Sequence, residues 1–258
     1  MNGIVSLTTH AARANAIAPT LWPLLRQADS AGLRLCISMQ EDAVGLLPDN
    51  VRRYADSGRI EILTDRRDHG SNMKYTLAMR RYPDLPIVVV DDDNIFFDGT
   101  LAGMVNVWHR RMPRSIICRR YRKIKWRQDG HLDRFTFGSY PIMDCRSLPP
   151  ETAVFVHDGF PEHCAGVLYP PGCFDVTDAV VDEALAKAPH DDDVFAHVLA
   201  LRFGVETVHI HDPAYLRVQR DYIDVQIKST GLWRNGNEGE RSDATLRRFE
   251  DELAKDRR

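Results

Sequence analysis

Residues 87–94 read Ile87-Val88-Val89-Val90-Asp91-Asp92-Asp93-Asn94, four β-branched residues that end in three consecutive carboxylates. A continuous apolar run of this kind predicts a strand buried on both faces, the type found inside parallel sheets. The acids then fall at the strand's carboxyl end, where open α/β sheets receive their ligands. Three adjacent carboxylates repel one another unless a cation neutralises them, and a hard divalent ion bridging a diphosphate does so most directly. A solvated acidic turn is the plain alternative. The position straight after the Ile/Val run favours the ligand site.

The flanking sequence supports a sheet of this type. Gly3 to Leu7 is a short apolar run ending in Thr8-Thr9-His10-Ala11-Ala12-Arg13, and Ala16 to Ala31 carries Ile17, Leu21, Leu24, Leu25 and Ala28 at helical spacing. Leu33 to Met39 alternates apolar and polar positions before the loop Gln40-Glu41-Asp42. A helical stretch near Val51 to Ser57 precedes a third strand at Arg59 to Thr64, and Asn72 to Tyr82 reads as a helix stopped before Pro83. Strands separated by helical patterns need crossovers over the sheet faces, so the spacing predicts an α/β fold with a parallel or mostly parallel sheet.

Composition narrows the class. The 258 residues, 43% hydrophobic and 28% charged, suit a single α/β domain with a full core. A formal net charge of -3 gives no global attraction for nucleic acid, so no nucleic-acid partner is expected. Five cysteines (Cys36, Cys118, Cys145, Cys164 and Cys173) are an odd number without a CxxC pair, which argues against a disulfide framework or structural zinc and fits a reducing cytoplasm. The amino terminus has no basic region followed by a long apolar segment, and no window approaches the roughly 20 apolar residues of a membrane span.

The second half changes character. Ser115 to Tyr140 is rich in Arg, Lys and aromatic residues, and Arg119-Arg120-Tyr121-Arg122-Lys123-Ile124-Lys125-Trp126-Arg127 reads as a surface for an anion or a sugar. Tyr121 and Trp126 with Arg122 could stack on a sugar ring or grip an anionic acceptor; a core Trp126 with solvated arginines is the alternative. Cys164 to Gly172 is an apolar strand stopped by Pro170-Pro171-Gly172, and Asp178 to Ala188 reads as a helix. His190-Asp191-Asp192-Asp193-Val194-Phe195 opens another helix, running to Leu201 or Arg202, with the acids at its N-cap and first turn. Val205 to Ile210 is a last strand, and Glu238 to Arg258 carries Leu246, Phe249 and Leu253 at the spacing of a surface helix.

Taken in order, Val5-Ser6-Leu7-Thr8-Thr9, Asp91-Asp92-Asp93, Ala165-Gly166-Val167-Leu168-Tyr169-Pro170-Pro171-Gly172 and Asp191-Asp192-Asp193 resemble bacterial, family-2-like glycosyltransferases of the GT-A fold, the kind that build cell-surface polysaccharide or lipopolysaccharide. The resemblance runs from Gly3 to about Asn235. It implies a Rossmann-like, mostly parallel central sheet flanked by helices, with an acceptor-side subdomain. Residues up to about 110 would bind the nucleotide-sugar, about 111–235 the acceptor, and 236–258 would form a C-terminal helix. A UDP-sugar is the favoured donor ahead of a GDP-sugar; the acceptor is a saccharide or lipid-linked saccharide.

The resemblance also implies roles. Asp93 and Asp91 would hold Mn2+ or Mg2+, which neutralises the departing nucleoside diphosphate. Asp91 and Asp92 would also touch the donor, although strand alternation could turn Asp92 away. Thr8, Thr9 and Arg13 lie where base or diphosphate would sit, with Arg13 offering a forked guanidinium and helix capping an equal account of Thr9. Lys74 resembles the family's lysine near the donor; a solvated helix face is the competing account. Asp192, with Asp193 next, matches the base that deprotonates the acceptor hydroxyl in an inverting reaction. Simple N-capping explains one of these acids well and three poorly. Gly166 would let substrate approach the backbone, or mark a bulge. His209 and His211 share one face of the last strand, where one could complete the metal sphere or be held in the core by hydrogen bonds.

Two other classes stay in view. A nucleotidyltransferase also combines paired acids with a metal, but its first loop is usually Gly-rich and basic, whereas Thr8 to Arg13 contains no glycine. A non-catalytic homologue would bind a saccharide or a partner without turnover. The expected location is the cytoplasm, with peripheral contact at the inner face of the cell membrane where lipid-linked acceptors reside.

Overall fold

The computed structural model describes residues 2–136, 139–144, 148–149, 152–211 and 238–257. Cys145 and the 212–235 portion of the expected acceptor region lie outside the described residues. The strands are β1 (Gly3–Thr8), β2 (Leu33–Gln40), β3 (Ile60–Asp65), β4 (Ile87–Val89), β5 (Ile116–Cys118), β6 (Arg120–Lys123), β7 (Ile142–Asp144), β8 (Ala153–Phe155), β9 (Gly159–Pro161), β10 (Val167–Tyr169) and β11 (Thr207–Ile210). The helices are α1 (Ala18–Ala31), α2 (Asp49–Asp56), α3 (Met73–Arg81), α4 (Thr100–Arg111), α5 (Asp178–Lys187), α6 (Asp192–Phe203), α7 (Glu238–Arg248) and α8 (Glu250–Leu253).

Eight strands form one sheet in the order β3-β2-β1-β4-β10-β5-β11-β8. The first four are mutually parallel, as the intervening helical patterns require. β10 enters antiparallel between β4 and β5, and β8 closes the far edge antiparallel to β11. The result is an α/β, Rossmann-like, mostly parallel sheet flanked by helices. A second, three-stranded antiparallel sheet, β7-β6-β9, stands beside it.

The Ile/Val run feeds both layers of the core. Ile87 and Val89 pack with Ile4, Cys36, Val167, Tyr169 and residues of α3 and α6. Val88 and Val90 pack on the other face with Val5, Leu7, Ile37, Leu168 and residues of α1 and α4. Successive strand residues point to opposite faces, so a run apolar at every position is what a doubly covered strand needs.

Three features depart from the expectations. The helix α4 carries no capping signal strong enough to stand out; its N-cap, Gly99, has left-handed backbone and offers no side-chain hydrogen bond. The 163–166 segment is not strand: it makes a 3-10 turn at His163–Ala165 and the strand begins only at Val167. The C-terminal stretch breaks into α7 and α8 and is more than a surface helix, because Leu246, Phe249 and Leu253 are fully buried against α6. Cys36, Cys118, Cys164 and Cys173 are free thiols. Among the described residues no helix is long and apolar enough to cross a membrane.

Phe249 stacks on Phe195 of α6 with ring centres 5.7 Å apart, and Lys187 and Arg202 lie over its face. Phe249→Ala is expected to lower unfolding free energy by about 3–5 kcal/mol, read as a lower denaturant midpoint at unchanged slope. A loss below about 1 kcal/mol would mean that the C-terminal helices are peripheral to the core.

Candidate functional site

The carboxyl ends of the parallel strands open onto a cavity of about 600 Å³. The loop after β1 contributes Thr8, Thr9, His10 and Arg13, the end of β4 contributes Asp91, Asp92 and Asp93, and the start of α6 contributes Asp191, Asp192 and Asp193. Lys74, from the first turn of α3, joins the two acidic clusters: its Nζ lies 2.5 Å from Asp91 Oδ1 and 2.6 Å from Asp192 Oδ2. Local packing brings that about. Gly70 has a φ of 58°, and a Cβ there would stand 2.7 Å from the Pro189 carbonyl, so the loop before α3 presses against the entrance of α6. The Asn72 amide donates to the Ala188 carbonyl across the same contact.

Arg13 answers the other two acids of the triplet, at 2.7 Å from Asp92 and 3.2 Å from Asp93. Asp92 therefore does not turn away from the site. Burial raises the Asp92 pKa against the opposing charge of Arg13. Asp93 is pushed up to about 6, first by burial and then by Asp91 and Asp92. The Thr8 hydroxyl is committed to the Ser38 carbonyl of β2 at 2.8 Å.

The second cluster is sorted by its partners. The side chain of Asp191, the N-cap residue of α6, accepts from Ser242 Oγ at 2.5 Å and Thr245 Oγ1 at 2.6 Å, tying α7 to the site. Asp192 sits between Lys74 and His163, whose Nδ1 is 2.6 Å from Asp192 Oδ2. Burial pushes Asp192 upward, but Lys74 and His163 together hold it well below the usual carboxylate range. Asp193 also meets His163 Nδ1 at 2.6 Å and accepts from the His163 backbone N–H at 2.9 Å. Its pKa is raised, because burial and the neighbouring Asp192 outweigh His163. Burial opposes charge on His163 as well, yet Asp193 and Asp192 push the imidazolium up to about 9. His163 Nε2 lies 2.8 Å from the Tyr169 hydroxyl, which holds the ring in place. As an imidazolium it donates from both nitrogens, to the acids and to Tyr169.

A third wall comes from the small sheet: Arg122 of β6, Phe160 of β9, Glu162 and Phe135. Of the acceptor residues expected from the sequence, only Arg122 lines the cavity. Tyr121, one position away, faces the other side of β6 and packs edge-on against His209 with centres 5.1 Å apart. Trp126 donates to Asp158 at 3.1 Å beneath the Arg257 guanidinium. The basic run is not an open charged surface, since Arg119 and Arg122 are buried and Glu162 accepts from both Arg120 and Arg122.

The two C-terminal-strand histidines are not brought to the acids. His209 is buried with Nε2 at 3.2 Å from the Arg119 carbonyl, and His211 Nδ1 lies 2.9 Å from the Leu148 carbonyl. His209 is thus hydrogen-bonded in the interior, while His211 is part-buried. Gly166 does not line the cavity either. Its φ of 89° and the Met104 Sδ 3.3 Å from where a Cβ would stand account for the glycine. His163, Glu162, Phe135, Phe160 and Ser242 went unnoticed in the sequence. The available signal was position: an antiparallel strand delivers the residues before it, not after it, to the carboxyl edge.

The acids suit a divalent metal by chemistry and by charge. They offer hard oxygen donors to the cavity. The five carboxyl groups of residues 91–93 and 192–193 face three cationic groups, Arg13, Lys74 and His163. Asp93 is the under-compensated member of the triplet. Among the described residues, His163, Asp192 and Asp193 also bring one ligand atom each within 4.8 Å of one another, but Lys74 and the His163 proton already serve those acids.

No family model matches the chain, and no curated protein matches it. Solved structures do. UDP-glucose pyrophosphorylase complexed with UDP-glucose superimposes with a TM-score of 0.50 at 10% identity, over 89% of this chain and 100% of that one. S. aureus TarS 1-349 in complex with UDP gives 0.49 at 13% identity, over 82% of this chain and 58% of that chain. The mannosyltransferase PcManGT from Pyrobaculum calidifontis, in complex with GDP-Man and Mn2+, gives 0.46 at 16%, over 82% and 55%. The chain thus spans little more than half the length of the latter two. Likeness at these identities is likeness of fold.

Two outcomes follow from the geometry. Lys74→Met removes the cation that Asp91 and Asp192 share, leaving Asp192 with His163 alone, and is expected to cost about 3–5 kcal/mol of stability near neutral pH. Part of the loss returns as the pH is lowered and Asp192 takes up a proton; denaturant titrations of both proteins across pH check this. Asp93 titrates near about 6 in the fold against roughly 4 in an unfolded chain. Between those values the folded state holds the extra proton, so metal-free stability should fall as pH rises from about 4 to about 6. Asp93→Asn should flatten that part of the profile, and an unchanged slope would reject the assignment.

Proposed function

We propose that the chain is a metal-dependent, inverting glycosyltransferase of the GT-A type, moving a sugar from a nucleotide-sugar to a saccharide or lipid-linked saccharide acceptor. The observation that carries the reading is the convergence of residues 91–93 and 191–193 on one cavity at the carboxyl edge of the sheet. A UDP-sugar is the donor favoured ahead of a GDP-sugar, with its diphosphate near Arg13 and the β1 loop. Mn2+ or Mg2+ on Asp93, with Asp91, would supply Lewis-acid neutralisation of the charge that develops on the departing diphosphate.

The protein's own groups divide the remaining work. Arg13 offers N–H donors to phosphate oxygens and can exchange its carboxylate partners for them. Asp193 takes the proton of the acceptor hydroxyl as that oxygen attacks the anomeric carbon and the bond from that carbon to the diphosphate oxygen breaks. Of Asp192 and Asp193, Asp193 has the raised proton affinity a base needs, whereas Asp192 is held ionised by Lys74 and His163. Asp192 instead fixes Lys74 and His163, and His163 in turn orients Asp193.

The rival within the same broad architecture is a nucleotidyltransferase, which would split a nucleotide-sugar with pyrophosphate. Both are separated by one set of measurements. Thermal stabilisation across UDP-glucose, UDP-galactose and GDP-mannose, with and without Mn2+, identifies the donor as the one giving the largest metal-dependent shift. Slow hydrolysis or transfer from that donor should then fall by roughly 10²–10⁴ in Asp193→Asn, with donor binding retained. Formation of a nucleoside triphosphate from the donor and pyrophosphate would overturn the reading. So would full turnover by Asp193→Asn.

A further inference from the structure

The wall that the small sheet gives the cavity holds a guanidinium with one unpartnered nitrogen among the described residues. Arg122 lines the cavity with its side chain 7% exposed. Its Nε and Nη2 both donate to one oxygen of Glu162, at 2.9 and 2.7 Å, and the other Glu162 oxygen accepts from Arg120 Nε. Among the described residues, Arg122 Nη1 is buried and has no hydrogen-bond partner. A buried donor left unanswered carries a free-energy cost, which an incoming acceptor atom removes. The guanidinium stands 5.7 Å from the Phe135 ring centre, and Phe160, its cross-strand partner, lies on the same wall. The wall therefore combines aromatic faces suited to the apolar side of a pyranose with one cationic donor group, Nη1, suited to an oxyanion.

We propose that this wall is an acceptor subsite for a saccharide bearing a carboxylate or phosphate group, with the oxyanion on Arg122 Nη1. The proposal rests on the glycosyltransferase reading and names the substrate class for its acceptor side. Chain geometry supports the orientation this demands. Asp193 accepts from the backbone N–H of His163, the residue next to Glu162, so the base and the arginine stand close along one segment. The acids of the second cluster repel the oxyanion and Arg122 attracts it. An acidic saccharide is thereby turned with its charge on Arg122 and a hydroxyl toward Asp193. Both Glu162 oxygens accept from arginine donors, one from Arg120 and the other from Arg122.

The test is calorimetric titration of the full chain, first saturated with UDP and Mg2+, with glucose, galactose, glucuronate, glucose 6-phosphate and inorganic phosphate. At least one of the two charged sugars should bind tenfold or more tightly than either neutral sugar, and more tightly than inorganic phosphate. Glucuronate against glucose 6-phosphate separates a carboxylate from a phosphate source. Arg122→Gln should remove the preference while UDP affinity stays unchanged. If that variant does not fold, Arg122→Lys retains the charge facing Glu162, loses the Nη1 donor, and should weaken the charged sugar alone. Equal binding of neutral and charged sugars overturns the subsite, as does inorganic phosphate matching the charged sugars or a preference untouched by either substitution. Absence of UDP binding at the outset would instead overturn the donor reading beneath it.

Discussion

A buried ammonium has few ways to exist in a protein, and Lys74 shows the consequences of satisfying one. Its Nζ needs carboxylates within hydrogen-bond reach, and it finds them on Asp91 at the end of β4 and Asp192 at the start of α6. Because removing either partner from such a buried arrangement is far costlier than the net gain of forming it, the contact acts as a constraint on geometry more than as a source of stability. It fixes the register of α3 against the sheet and forces the first half of the chain to meet α6 at one edge. Gly70 against Pro189 and Asn72 against Ala188 are the packing that lets this happen.

The same constraint explains why neighbouring acids behave differently. Asp191, Asp192 and Asp193 are three consecutive carboxyl groups at the start of one helix, yet each has its own kind of partner. Two hydroxyls from α7 hold Asp191, two cations hold Asp192, and Asp193 shares His163 with Asp192. Paired titratable groups whose surroundings drive their proton affinities apart are the usual basis for dividing acid and base roles. Here the division is made by Lys74 and His163, with Tyr169 holding the imidazole from behind.

Much of the sheet was legible because its signals are local. A Val/Ile run, helical spacing from Ile17 to Ala28 and the acids opening α6 each report on their own few residues, and those elements lie where the spacing predicts them. What local patterns do not carry is strand direction and strand order. β10 runs against its neighbours, and that reversal brings His163, not Gly166, to the site. Alternation on β6 sends Arg122 inward and Tyr121 outward, a choice invisible until the pairing with β9 is known. His209 lies on β11, beyond β5, and His211 follows the strand's last residue; the backbone carbonyls of Arg119 and Leu148 are within hydrogen-bond reach of them. The apolar stripe of Leu246, Phe249 and Leu253 was visible; that it fills core beneath α6 depends on contacts far along the chain.

On the proposed reading, the distribution of charge has a further consequence for the order of events. A nucleotide-sugar diphosphate and its divalent cation largely cancel each other's charge, so their arrival together leaves the protein's excess of carboxylates nearly as it was. Arg13 can then move part of its attention from Asp92 and Asp93 to phosphate oxygens without a large change in the field at α6. Asp193 keeps the raised proton affinity that burial and Asp192 give it until the acceptor hydroxyl arrives. A site neutralised by a cation alone would lose that property, because added positive charge lowers the basicity of every carboxylate nearby. On that reading, internal cations on Asp91, Asp92 and Asp192, with Asp93 and Asp193 left under-compensated, would let the site bind a charged donor and still retain a base.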